Sequence, residues 1–141
     1  MTPSLSVAVA VVFLWLGMVL AISFLEAPLK FRAPGVTVPI GLGIGRLVFR
    51  ALNTAETVLA LALVIALGLA DPPARITVAA GVVVAVLVIQ LALVRPGLTR
   101  RSELVLAGQE VPHARGHYAY IGLELLKVVA LITTGVLLLA S

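Results

Sequence analysis

Four apolar runs dominate the chain, from Leu5 to Leu25, Ala51 to Ala70, Ile76 to Val94 and Ala119 to Ala140, separated by segments that hold most of the charge. Each is close to the ~20 residues needed to cross a hydrocarbon layer of about 30 Å. In lipid a spanning segment must satisfy its own backbone hydrogen bonds, and the short alternating segments of a β-barrel are missing, so all four runs read as helices. The first is expected to be retained rather than cleaved, because nothing basic precedes it and it exceeds the apolar centre of a signal peptide. The pattern predicts an all-α fold, a four-helix transmembrane bundle forming one integral membrane domain over residues 1–141.

The connections set the orientation. Ala70-Asp71-Pro72-Pro73-Ala74-Arg75 reads as a tight turn that makes the second and third spans antiparallel neighbours. Residues 26–50 and 95–118 form longer polar segments, and Lys30, Arg32, Arg46, Arg50, Arg95, Arg100, Arg101 and Arg115 all fall on their side, against Arg75 alone on the other. The positive-inside rule then assigns both long loops to the cytoplasm and both termini to the non-cytoplasmic side. A bacterial cytoplasmic membrane is the expected location.

Composition agrees with this pattern. The chain is 62% hydrophobic and 11% charged with a mean hydropathy of +1.22, which excludes a water-soluble globular domain. There is no cysteine, so disulfides, thiolate metal sites and cysteine nucleophiles are excluded together. A net charge of +4 and a pI near 10.4 would suggest nucleic acid in a soluble chain. Here the loops account for the basic residues, and the expected partner is the lipid bilayer rather than nucleic acid.

The first long segment carries Pro28, Pro34 and Pro39, then Gly41-Leu42-Gly43-Ile44-Gly45-Arg46. It is expected to prolong the second helix toward the cytoplasm as an interfacial segment with snorkelling basic ends. A dinucleotide fingerprint would need a preceding strand, which is absent. Gly41 and Gly45 instead form a small-xxx-small pair that permits close helix approach.

Ionisable groups inside the spans carry the candidate chemistry, since each costs about 2.5 to 3.5 kcal/mol at a helix centre. On the fourth span His117, Tyr120, Glu124 and Lys127 fall within about 80° of one face. Lys127 lies about 12 Å along the axis from Ala119, deep enough to limit snorkelling. Arg46, Arg50, Asn53, Glu56 and Thr57 share a face of the second span. The first span adds Ser23 and Glu26 near its cytoplasmic end, and the third adds Gln90 and Arg95. The other half of each span is nearly pure Leu, Val and Ala. The expectation is one cytoplasm-facing polar pocket lined by Glu26, Asn53, Glu56, Tyr120, Glu124 and Lys127, with Arg46, Arg50 and His117 as further ligand-binding candidates. The competing expectation is that Glu124 pairs with Lys127 and Glu56 with Arg50 or Lys127, locking the helices in register. No metal site is expected, because His117 and Glu124 lie about 10 Å apart along the axis and His113 falls in the loop.

Trp15-Leu16-Gly17, then Ser23-Phe24-Leu25-Glu26-Ala27-Pro28-Leu29-Lys30-Phe31-Arg32, then Gly45-Arg46-Leu47-Val48-Phe49-Arg50-Ala51-Leu52-Asn53, resemble a family of small bacterial four-helix membrane proteins of unknown function. That family is related to the small human four-span transmembrane protein associated with cisplatin tolerance. The resemblance covers the first half of the chain, with His117 where the family tends to carry a His, and it implies fold and membrane location only. Glu124 and Lys127 depart from the family's more apolar final helix and mark a distinct branch.

Arg46 followed by Asn53-Thr54-Ala55-Glu56 also resembles the second-helix motif of membrane-associated glutathione transferases and leukotriene or prostaglandin synthases, four-helix proteins of similar length. Tyr120 stands where those enzymes place a fourth-helix aromatic. By that resemblance Asn53 and Glu56 would hold the amine and backbone of glutathione, and Arg46 or Arg50 its carboxylates, in a trimer. The usual fourth-helix arginines are replaced by His117, Glu124 and Lys127.

Three functions follow as expectations. The first is a site that binds or passes a small polar or cationic solute or a proton, with no cofactor. The second is a glutathione-dependent membrane enzyme. The third is an accessory subunit whose polar face docks a larger membrane complex; a homo-oligomer or such a complex is expected in each case.

Overall fold

The computed structural model describes residues 1–94, 100, 103, 104, 106–108 and 115–141, with the side chains of 93, 94 and 115–117 left aside. Four long helices make up the fold, and no strand occurs among the described residues. Helix α1 runs Pro3–Arg32, α2 Val38–Ala70, α3 Ala74–Ile89 and α4 Arg115–Leu139. All four are long and apolar enough to cross a membrane, the architecture of a small multi-pass membrane protein. The expected loop 95–118 lies largely outside the described residues.

Local sequence sets the helix ends. Thr2 caps α1 by accepting from the Leu5 N–H at 3.2 Å, with Pro3 where its missing N–H costs nothing. Thr37 does the same for α2, accepting from Ile40 at 3.4 Å, again with a proline in the first turn. The second helix thus begins well before Ala51 and absorbs the glycine run, as the interfacial reading expected. Its other end closes at Asp71, which takes the left-handed conformation at φ 48° before Pro72 and Pro73 forbid continuation.

Two of the helices widen. In α1 the turns over Leu20–Glu26 are π-helical, and α3 continues as π turns over Gln90–Val94. Each widened segment ends two residues before a proline, Pro28 or Pro96. Proline lacks an N–H and its ring crowds the carbonyl one turn back, here that of Phe24 before Pro28, which accounts for the wider turns of α1.

The helices pack in the order α2, α1, α4, α3. Helix α1 lies against both α2 and α4, and α4 against α3. Helices α2 and α3 meet only sparsely although a three-residue turn joins them, so the tight turn does not make them intimate neighbours. In lipid there is little hydrophobic drive between helices, and close backbone approach has to supply attraction. Gly135 provides it between α4 and α1, where a Cβ would come 2.7 Å from the Phe13 ring. Gly41 provides it between α2 and the end of α1, where a Cβ would stand 2.1 Å from Phe31. The buried apolar core, with Val12, Leu63, Ile76, Val83 and Leu131 fully enclosed, fills the half of the bundle nearer the Asp71 turn. Leu14, Leu61, Ile65, Val78, Val129 and Val136 point outward, an apolar exterior suited to lipid.

Candidate functional site

Below the apolar core, five polar side chains among the described residues are buried within the bundle: Glu56, Gln90, Glu124, Lys127 and Thr134. Thr134 satisfies itself on the Ala130 carbonyl of its own helix at 2.7 Å. The other four form one network. Lys127 Nζ sits at its centre, 2.5 Å from Glu56 Oε2, 2.6 Å from Glu124 Oε1 and 2.8 Å from Gln90 Oε1. The ammonium donates to Glu56 Oε2 and Gln90 Oε1 and forms an ion pair with Glu124 Oε1, so oxygens of three residues surround it.

The second layer ties in α1. The Trp15 indole N–H donates to Glu56 Oε2 at 2.8 Å, and the Ser23 hydroxyl donates to Glu124 Oε2. Gln90 is used at both ends, accepting from Lys127 and donating through Nε2 to Glu124 Oε1 at 2.8 Å. All four helices therefore contribute: Trp15 and Ser23 from α1, Glu56 from α2, Gln90 from α3, and Glu124 and Lys127 from α4. Ser23 lies in the π turns of α1, and Gln90 opens those of α3. Widened turns are frequent at functional sites, and both occur at the level of this network.

One oxygen is left over. Of the four carboxylate oxygens, three accept hydrogen bonds, whereas Glu56 Oε1 is fully buried with no hydrogen-bond partner among the described residues. The charges are also unequal, with two carboxylates against one ammonium.

The remaining sequence candidates lie elsewhere. Glu26 is half-buried and faces Lys30 at 3.8 Å, one turn along α1. Lys30 in turn packs over the rings of Phe31 and Phe49 at 5.4 and 5.8 Å and lies against Gly45. Arg46 pairs with Glu103 at 3.3 Å on the surface. Arg50 is exposed and Asn53 half-exposed, and their carbonyls accept from Thr54 and Thr57. Arg46, Asn53 and Glu56 thus have separate surroundings. Tyr120 is buried one turn from Glu124 and meets Phe49 edge-on at 5.9 Å. The backbone of His117 is in α4, its side chain outside the described residues; Arg95 and His113 lie outside them altogether.

Sequence reasoning brought Glu56, Glu124 and Lys127 together and noted Ser23 and Gln90 at similar depth. It missed Trp15 as a ligand of Glu56. The available signal was an indole N–H in mid-span, a donor that lipid cannot satisfy. Compared with protein-family models, curated proteins and solved structures, the chain matches none of them.

Proposed function

We propose that this small multi-pass membrane protein binds one small cation, a proton or a monovalent ion, at the Lys127 network, reaching it from the basic side of the bundle. The single observation that supports the reading is the unbalanced network itself: two buried carboxylates, one ammonium shared between them, and one buried oxygen of the network, Glu56 Oε1, without a hydrogen-bond partner. A net negative charge enclosed by four apolar helices is costly, and an added positive charge removes that cost.

The distribution of polar groups favours binding from one side over passage across. Ser23, Glu26 and Lys30 lead from the network toward the basic end of α1. Toward the Asp71 turn the bundle interior is the apolar core. By the positive-inside rule that basic end is the cytoplasmic one, with both termini outside.

The test is thermal unfolding of the purified protein in lipid nanodiscs, across pH and a panel of monovalent cations at fixed ionic strength. Wild-type stability is expected to respond to pH or to one cation, and Glu56→Gln and Glu124→Gln are expected to lose that response. Indifference of the wild type to every condition would reduce the network to a static ion-pair lock.

A further inference from the structure

We infer that the bound cation is a proton and that it resides on Glu56 Oε1, an inference that rests on the cation-binding reading above. Four carboxylate oxygens are candidates. Glu56 Oε2 already accepts from Lys127 and Trp15, Glu124 Oε1 from Lys127 and Gln90, and Glu124 Oε2 from Ser23. A proton on any of these three would face a donor already aimed at it. Of these four, only Glu56 Oε1 accepts nothing; the other buried carboxylate oxygen without a hydrogen-bond partner, Glu26 Oε2, lies outside the network on a half-buried side chain facing Lys30 at 3.8 Å.

The surroundings disfavour a metal ion. A hard cation takes several oxygen ligands, six or more for calcium or magnesium. The network offers one uncommitted carboxylate oxygen, and the described residues contain no group of three or more His, Cys, Asp or Glu that could hold a metal. A proton needs a single lone pair, and its binding leaves every hydrogen bond of the network in place.

Among the described residues no other cation faces Glu56 or Glu124. Facing Glu56 are Trp15 from α1 and Lys127 from α4, with Gln90 from α3 and Glu124 joined to it through Lys127. On its own helix, Arg50 is exposed and Arg46 is taken by Glu103. Lys30 on α1 faces Glu26. Tyr120 of α4, one turn from Glu124, packs against Phe49. One proton makes the set Glu56, Glu124 and Lys127 neutral overall.

Infrared spectroscopy of the protein in nanodiscs reads such a proton directly. At neutral pH the wild type is expected to show the carbonyl stretch of one protonated carboxylic acid, shifted in D2O. The band should vanish in Glu56→Gln and also in Glu124→Gln, where one carboxylate already balances Lys127. Trp15→Phe should move the band, because it removes a hydrogen bond from the Glu56 carboxyl, and Ser23→Ala should leave it in place. A band moved by Ser23→Ala and not by Trp15→Phe would assign the proton to Glu124 and overturn the inference. Absence of any band would overturn it too; if the cation response of thermal stability persisted, the ligand would be a metal cation and the binding reading would stand. The Trp15 and Ser23 variants keep the test decisive even where Glu56→Gln does not fold.

Discussion

Lys127 of α4 reaches Glu56 of α2 at 2.5 Å although those two helices are not packed neighbours. This contact adds a tie between α2 and α4 to the packing of α1 against α4 and the Ser23–Glu124 bond, which already join the α1/α2 pair to the α3/α4 pair.

Charge arithmetic gives the first expectation. Lys127→Met removes the ammonium that both enclosed carboxyl groups share, leaves the Glu124 carboxylate uncompensated, and should cost about 3–5 kcal/mol. Glu124→Gln leaves a neutral Glu56–Lys127 pair and should cost about 1 kcal/mol or less. Unfolding of the two variants in nanodiscs at neutral pH measures the asymmetry; equal losses would mean that the ammonium is no more essential than either carboxylate.

Trp15→Phe keeps the ring and removes the donor. Glu56 Oε2 retains Lys127, so the loss should be modest, about 1 kcal/mol. In a Glu56→Gln background the same substitution should cost measurably less, and a double-mutant cycle on thermal stability reads the difference. Additive costs would mean that the indole is held by packing alone.

The spans and the lysine-centred pairing were legible in the sequence for a simple reason: apolar runs of this length have one solution in lipid, and buried charges of opposite sign seek each other. Gly41 and Gly45 were legible as close-approach positions, now seen against Phe31 and Lys30. The π turns were not, because widening depends on how a proline such as Pro28 disturbs a particular carbonyl rather than on hydropathy. Without them Ser23 and Gln90 had no definite direction. Glu26 and Tyr120 share helix faces with the network yet pair or pack lower down, since a face spans several turns and periodicity carries no depth. The sparse contact between α2 and α3 was hidden for a related reason. A short turn fixes only where two helices meet, while α1 and α4 determine how closely they run.

Removing one residue from the π turns of α1, for example Ile22, should restore α-helical spacing and rotate everything beyond it by about 100°. Ser23 would leave Glu124 and Phe31 would leave Gly41. The deletion preserves hydropathy and a span of sufficient length, so a substantial drop in thermal stability would arise from register. Unchanged stability would mean that the widened turns are incidental.

Gly41→Ala places a methyl group where the Phe31 ring now lies. The expected cost is about 1–3 kcal/mol, as for other overpacked contacts. Phe31 is 40% exposed, so combining the change with Phe31→Ala should recover part of that loss. The same unfolding assay checks this, and a double variant no better than Gly41→Ala would place the strain elsewhere.

Trp15 is the single tryptophan of the chain and bonds directly to Glu56, so its fluorescence reports on the network without any label. The most direct measurement is Trp15 emission of the protein in nanodiscs, titrated with pH and, at fixed pH, with monovalent cations. An exchangeable positive charge at the network should move the wild-type emission in one transition that Glu56→Gln abolishes. Emission that stays flat through both titrations would contradict the account and leave the Lys127 network as a fixed structural tie.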